Sequence, residues 1–101
     1  MHGYEIEFVF GMPLIPSLGY QANELAMSKR MIKHWTNFAK TGNPGIEGVE
    51  WPLHTAEEQE YLTLSVNASE KKTKLKAHEC RLWTKLLPNV QDVSDDLQAC
   101  Q

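Results

Sequence analysis

His2 stands with Gly3 immediately ahead of the stretch Tyr4-Glu5-Ile6-Glu7-Phe8-Val9-Phe10. A histidine on a loop beside a sheet edge can serve as general base toward a serine hydroxyl. It then needs a carboxylate on its other ring nitrogen to fix the tautomer and stabilise the imidazolium. Alone, a His-Gly step is a weak signal, because a solvent-exposed histidine looks the same. Glu5 and Glu7 share one face of the stretch and read either as its solvated side or as a buried pair serving a site. His34 falls beside the apolar stripe of a helix and reads as a packing or surface residue rather than a ligand. His54 stands in a loop without a partner at metal-ligand spacing. Cys80 and Cys100 are too few for a disulfide scaffold and too far apart for a zinc knuckle. Asn67-Ala68-Ser69 is a glycosylation sequon, usable in a secreted chain. The sequence holds no P-loop, dinucleotide fingerprint, His-Glu-x-x-His or Gly-x-Ser-x-Gly elbow, so neither a cofactor nor a metal is expected.

The elements that must position these residues follow from periodicity. Residues 4–10 alternate with a period of two, with Ile6, Phe8 and Phe10 on one side, and predict a strand ended by Gly11 and Pro13. Residues 12–20, with two prolines and a Gly-Tyr step, form a loop. Over residues 21–41 the period becomes helical, with Met31, Ile32, Trp35 and Phe38 on the apolar side. Gly42 and Pro44 stop that helix, while Gln21 is a poor N-cap even with Glu24 three residues on. Its stripe of Trp and Phe is built to lie on something larger. Loop residues 43–60 lead to a second alternating strand over 61–66, with Leu62, Leu64 and Val66 on one face. Lys71, Lys72, Lys74, Lys76, Arg81 and Lys85 form a basic run without interleaved aromatics, which reads as a solvated face. Cys80, Trp83, Leu86 and Leu87 then give a short C-terminal helix over 77–87, ending near Pro88. A polar, acidic tail occupies 91–101.

Composition bounds what such elements can do. The chain has 101 residues, 42% of them apolar and 9% aromatic, and its mean hydropathy is -0.44. That allows one small domain and excludes a disordered tail. A net charge of -3 supplies no broad field for nucleic acid. The longest apolar stretches run to about seven residues, far below the roughly 20 needed to span a bilayer. No basic, then apolar, then small-residue leader opens the chain. The expectation is a soluble, globular piece that is not self-sufficient.

Taken whole, residues 1–14, Met-His-Gly-Tyr-Glu-Ile-Glu-Phe-Val-Phe-Gly-Met-Pro-Leu, resemble the catalytic-histidine segment of the cholinesterases. These are serine esterases of the type-B carboxylesterase family of α/β-hydrolases. Residues 35–44, Trp-Thr-Asn-Phe-Ala-Lys-Thr-Gly-Asn-Pro, resemble the family's long helix and its exit. Trp51-Pro52 and Tyr61-Leu62-Thr63-Leu64 are similar to the segments that follow, and Cys80-Arg81-Leu82-Trp83 to Leu87-Pro88 resembles the C-terminal helix. The resemblance covers about residues 1–90 and implies an α/β fold, the C-terminal part of an α/β-hydrolase domain, with 91–101 as a tail.

It also implies roles. His2 corresponds to the triad histidine, Tyr4 to an aromatic near the choline-binding part of the active-site gorge, and Glu5 to a buried carboxylate that supports the site. Cys80 corresponds to the second cysteine of an intrachain disulfide whose first member lies upstream. Pairing with Cys100 instead would close a loop of about 20 residues, worth about 3 kcal/mol. Cys100 lies where family members often carry a cysteine for an interchain disulfide. The helix of Cys80 and Trp83 resembles one that joins a four-helix contact, which implies a homodimer. The tail offers a route to membrane or anchor attachment, and no nucleic-acid partner is implied. Disulfide use and the sequon at Asn67 favour a secreted or extracellular, synaptic location.

In α/β-hydrolases the triad runs Ser, then Asp/Glu, then His along the chain. A piece that begins one residue before the histidine lacks nucleophile, acid and oxyanion donors. Each such donor is worth roughly 10²–10³ in rate, so the isolated chain is expected to be inactive. The function implied is the C-terminal portion of a serine esterase acting on choline esters. Two other readings stand beside it. One is a non-catalytic adhesion protein of the neuroligin kind, distinguished by the absence of the upstream serine. The other is an independent module binding polyanions through residues 71–85.

Overall fold

Residues Glu5–Val9 form a short helix (α1), which corrects the strand predicted over 4–10. The computed structural model describes residues 2–99, apart from the side chains of Asp96 and Gln98. Alternation over so few residues fits a single helical turn as well as a strand, and the backbone decides between them. A strand needs donors and acceptors from a neighbour, whereas a helical turn satisfies its own. Gly3 and Gly11, both in the left-handed region at φ of 91° and 77°, bracket the turn. Phe8 and Val9 become half-buried, while Ile6 and Phe10 face outward.

The long helix α2 spans Ala22–Thr41, as its periodicity predicts. Its start is firmer than Gln21 suggests, because the Glu24 carboxylate accepts the Gln21 backbone N–H at 2.7 Å. That carboxylate also sits well at the positive end of the helix dipole. Gly42 ends α2 at φ 78°, donating its N–H to the Phe38 carbonyl at 2.8 Å. Met27, Ser28, Met31 and His34 recur at three or four residues along the buried side. Trp35 and Phe38 remain 43% and 60% exposed on the neighbouring face.

Strand β1 (Glu60–Thr63) pairs antiparallel with β2 (Glu70–Thr73), Tyr61 opposite Lys72 and Leu62 opposite Lys71. The predicted strand over 61–66 is therefore shorter. Arg30 on α2 donates to the Ser65 and Val66 carbonyls, at 2.8 and 3.4 Å, and draws them away from the ladder. The basic run supplies β2, a strand missed by its sequence pattern. All four of its residues are exposed, as the reading of a solvated face has it.

Residues 77–99 are helical throughout, as α3 (Ala77–Arg81), a π-helical turn (Leu82–Leu86) and α4 (Leu87–Ala99). This corrects the short helix ending near Pro88, and the helix runs on through the described part of the tail. The proline is tolerated because the π turn restarts the ladder just before it, with the Leu87 N–H bonding back to the Leu82 carbonyl. Pro88 then lies in the first turn of α4, where no N–H is required.

The buried apolar side chains among the described residues are Pro13, Met27, Met31 and Leu62. The chain exposes 8219 Å². A compact monomer of this mass exposes roughly 5,800 Å². The radius of gyration is 20.2 Å, against about 13 Å for a compact domain of this length. Large apolar faces on α2 and on residues 77–99 are thus left uncovered by this chain. No described helix is long and apolar enough to cross a membrane.

Candidate functional site

His2 occupies an exposed turn at the N-terminal end of α1, with Gly3 supplying the left-handed step that turns the chain into the helix. Among the described residues no hydroxyl or carboxylate hydrogen-bonds its ring. Tyr4 precedes the helix and is 55% exposed, and Glu5 opens its first turn in an exposed position. Glu5 and Glu7 do not share a face, which corrects the reading made for a strand. Positions two apart in sequence are separated by about 200° around a helix.

Tyr4, Glu5 and Phe8 form one wall of a groove of about 400 Å³. Met27, Met31 and Trp35 of α2 make its floor, and Leu64, Ser65 and Val66 its far wall. The structure therefore brings Tyr4 and Glu5 together on one groove and leaves His2 outside its lining. Within this chain Glu5 is open to solvent rather than buried.

Two contacts seat α1 on its neighbours. The fully buried Ser28 hydroxyl donates to the Phe8 carbonyl at 2.7 Å. Tyr20 donates its hydroxyl to the Glu7 carboxylate at 2.5 Å, and its ring meets Phe8 edge-on at 6.5 Å. The bond to Glu7 pushes the Tyr20 hydroxyl above its ordinary pKa, since ionisation would remove the shared proton. Burial and the negative charges of Glu7 and Glu24 act the same way. Neither Ser28 nor Tyr20 is singled out by motif. The one trace of Ser28 in the sequence is a small polar residue on an otherwise apolar helical stripe.

Of the two readings open for His34, the structure selects packing. Its ring is fully buried. Nδ1 donates to the Pro44 carbonyl at 2.5 Å, and Nε2 is buried without a partner. Trp51 lies edge-on to the ring at 5.1 Å, and Asn37 donates to the Gly45 carbonyl at 2.7 Å. Together they latch the chain after Gly42 onto α2. His54 has an equally local role, with Nδ1 3.2 Å from the Glu60 carbonyl.

Asn67 is exposed in the connection between β1 and β2, where a glycan could be accepted. Cys80 is exposed on α3 with a free thiol among the described residues, and Cys100 lies outside them. No cluster of three or more His, Cys, Asp or Glu that could hold a metal occurs among the described residues. Chemically, the chain presents a free imidazole and a groove with an aromatic and a carboxylate on its rim. The described residues do not join these to a nucleophile.

A family model described as the carboxylesterase family matches residues 1–83. A relative named acetylcholinesterase, from Bungarus fasciatus, is 39% identical over 103 residues. That match covers 99% of this chain and 17% of the relative, so the chain spans about a sixth of the relative's length.

Proposed function

From the premise that this chain belongs to the carboxylesterase family, we propose that it is the C-terminal portion of a serine esterase hydrolysing choline esters. The fold it contributes to is an α/β-hydrolase, and its part in the reaction is the general base His2. The observation that carries the reading is the placement of His2. Its ring is exposed at the head of a helix seated on α2, free to receive partners from outside the chain.

In the assembled esterase the serine hydroxyl attacks the ester carbonyl carbon while His2 accepts its proton. His2 then gives that proton to the departing choline oxygen. It next takes a proton from water, and the hydroxide formed in that step displaces the acyl group from serine. The proton finally returns to the serine oxygen as the acid leaves. Tyr4, on the groove rim, stands where an aromatic wall can hold a quaternary ammonium by cation–π attraction. Glu5 serves as the supporting carboxylate. It is exposed here because the faces that would bury it belong to the remainder of the protein. Alone, the chain is inactive.

The protein is secreted or extracellular, in keeping with a synaptic role, and glycosylated at the exposed Asn67. Cys80 pairs with an upstream cysteine and Cys100 with a second chain. It assembles as a homodimer through the C-terminal helix, whose Leu86, Val90, Val93 and Leu97 recur at four, three and four residues and are all exposed. Arg81 and Lys85 sit toward one end of that helix, Asp92 and Asp95 toward the other. Antiparallel pairing brings these unlike charges together.

The test is His2→Ala in the full-length protein, assayed with a thiocholine ester. Turnover is expected to fall by about 10³ or more. Unchanged turnover rejects the esterase role for His2.

A further inference from the structure

We propose that Ser28 is a positioning residue for His2, acting through α1. The inference rests on the reading of His2 as the general base of an esterase. It begins from the shortness of α1, which has five residues. Helices below about 12–15 residues are not stable by themselves in water, so the place of α1 is set by what holds it. At its C-terminal end the Phe8 carbonyl has only the Gly11 N–H as a backbone partner, at 3.2 Å. Ser28 completes it with a 2.7 Å hydrogen bond from a hydroxyl that is wholly shielded from water.

A serine inside a helix commonly turns its hydroxyl back to its own helix, onto a carbonyl one turn earlier. Ser28 instead spends its single proton on α1. The bond lies twenty residues apart in sequence and joins the N-terminal half of α2 to the C-terminal end of α1. Beyond the other end of α1 comes the turn that carries His2, closed by an Ile6 N–H to Gly3 carbonyl bond of 3.4 Å. That turn is too weakly held to correct a shift of the helix behind it. Where α1 goes, His2 follows.

A general base must sit within hydrogen-bond reach of the proton it takes, and a displacement of about 1 Å can cost 10²-fold in rate. Losing the Ser28 hydroxyl leaves the Phe8 carbonyl with the 3.2 Å bond from Gly11 alone, and so loosens α1 from α2. The consequence is specific. Ground-state binding of an ester depends on the walls of the pocket, whereas proton transfer depends on where His2 stands. A positioning role therefore appears in kcat and not in KM.

The experiment compares Ser28→Ala, Ser28→Thr and His2→Ala in the full-length esterase with a thiocholine ester. Rates are normalised to titrated active sites so that unfolded protein does not count. Ser28→Ala is expected to lower kcat about tenfold with KM within about twofold. Ser28→Thr, which keeps the hydroxyl, restores most of the lost kcat. The inference is overturned if Ser28→Ala keeps the parent kcat per site. It is equally overturned if kcat and melting temperature fall while KM rises in both Ser28 variants, the pattern of a merely structural serine. Should His2→Ala retain turnover, the esterase reading of His2 fails and takes this inference with it. An inactive His2→Ala beside a normal Ser28→Ala rejects the positioning role alone.

Discussion

The Tyr20 hydroxyl donates to the Glu7 carboxylate across thirteen residues, closing the loop between α1 and α2 back onto α1. This makes the seat of α1 sensitive to alkali. The folded state holds the Tyr20 proton more tightly than an unfolded chain does, so its pKa is raised from 10.0. A raised pKa contributes stability that is fully present below the unfolded value and is lost as pH rises through the folded one. Melting of the full-length protein between about pH 9 and 12 is expected to decline less steeply in Tyr20→Phe than in the parent. Superimposable declines would sink the assignment.

His34 makes a different prediction, because its ring does two things at once. It fills space against Trp51 and donates to the Pro44 carbonyl. His34→Ala removes both and is expected to destabilise the full-length protein by about 2–4 kcal/mol. His34→Phe keeps the ring, frees the Pro44 carbonyl and removes the buried unpaired Nε2. Its loss is expected to be less than half that of His34→Ala in denaturant titration. Equal losses would mean that the hydrogen bond, not the packing, holds the latch.

Association through the C-terminal helix is tested at Val93, exposed on α4. A carboxylate in an apolar seam is left without solvent when the seam closes. Val93→Asp is therefore expected to shift the full-length protein from dimer to monomer in sedimentation velocity. Catalytic rate per active site should stay within about twofold of the parent. A variant that remains dimeric places the interface elsewhere.

The parts of this fold that were legible in the sequence are those in which one pattern extends over many residues. The twenty residues of α2 show their helix through a sustained apolar stripe and a Gly-Asn-Pro exit. Residues 4–10 offered only three apolar positions at a spacing of two, too few to separate a strand from one helical turn. At Pro88 the local rule for a helix stop was sound. It was overridden by a π turn, which no propensity scale signals. Strand β2 was hidden because its four residues, Glu-Lys-Lys-Thr, bury nothing and so carry no apolar alternation.

The site divides along the same line. For His2, Tyr4 and Glu5 the resemblance of the first fourteen residues implies roles but says nothing of their surroundings. Ser28, Tyr20 and His34 were not legible, because their partners are a carbonyl, a carboxylate and a carbonyl brought near only by folding. A backbone acceptor leaves no mark in a sequence.

A π turn adds one residue to a helix without adding a loop, and at Leu82–Leu86 that extra residue acts as a phase shift. Each residue of an α-helix turns it by about 100°, so removing one residue here would swing everything beyond it through that angle. Val90, Val93 and Leu97 would then face a different direction from the one they now share, while Cys80 and α3 stayed in place. The helix is in effect two helices with a fixed dihedral between them. A single-codon deletion in this stretch would keep every apolar side chain and still scramble which surface they present.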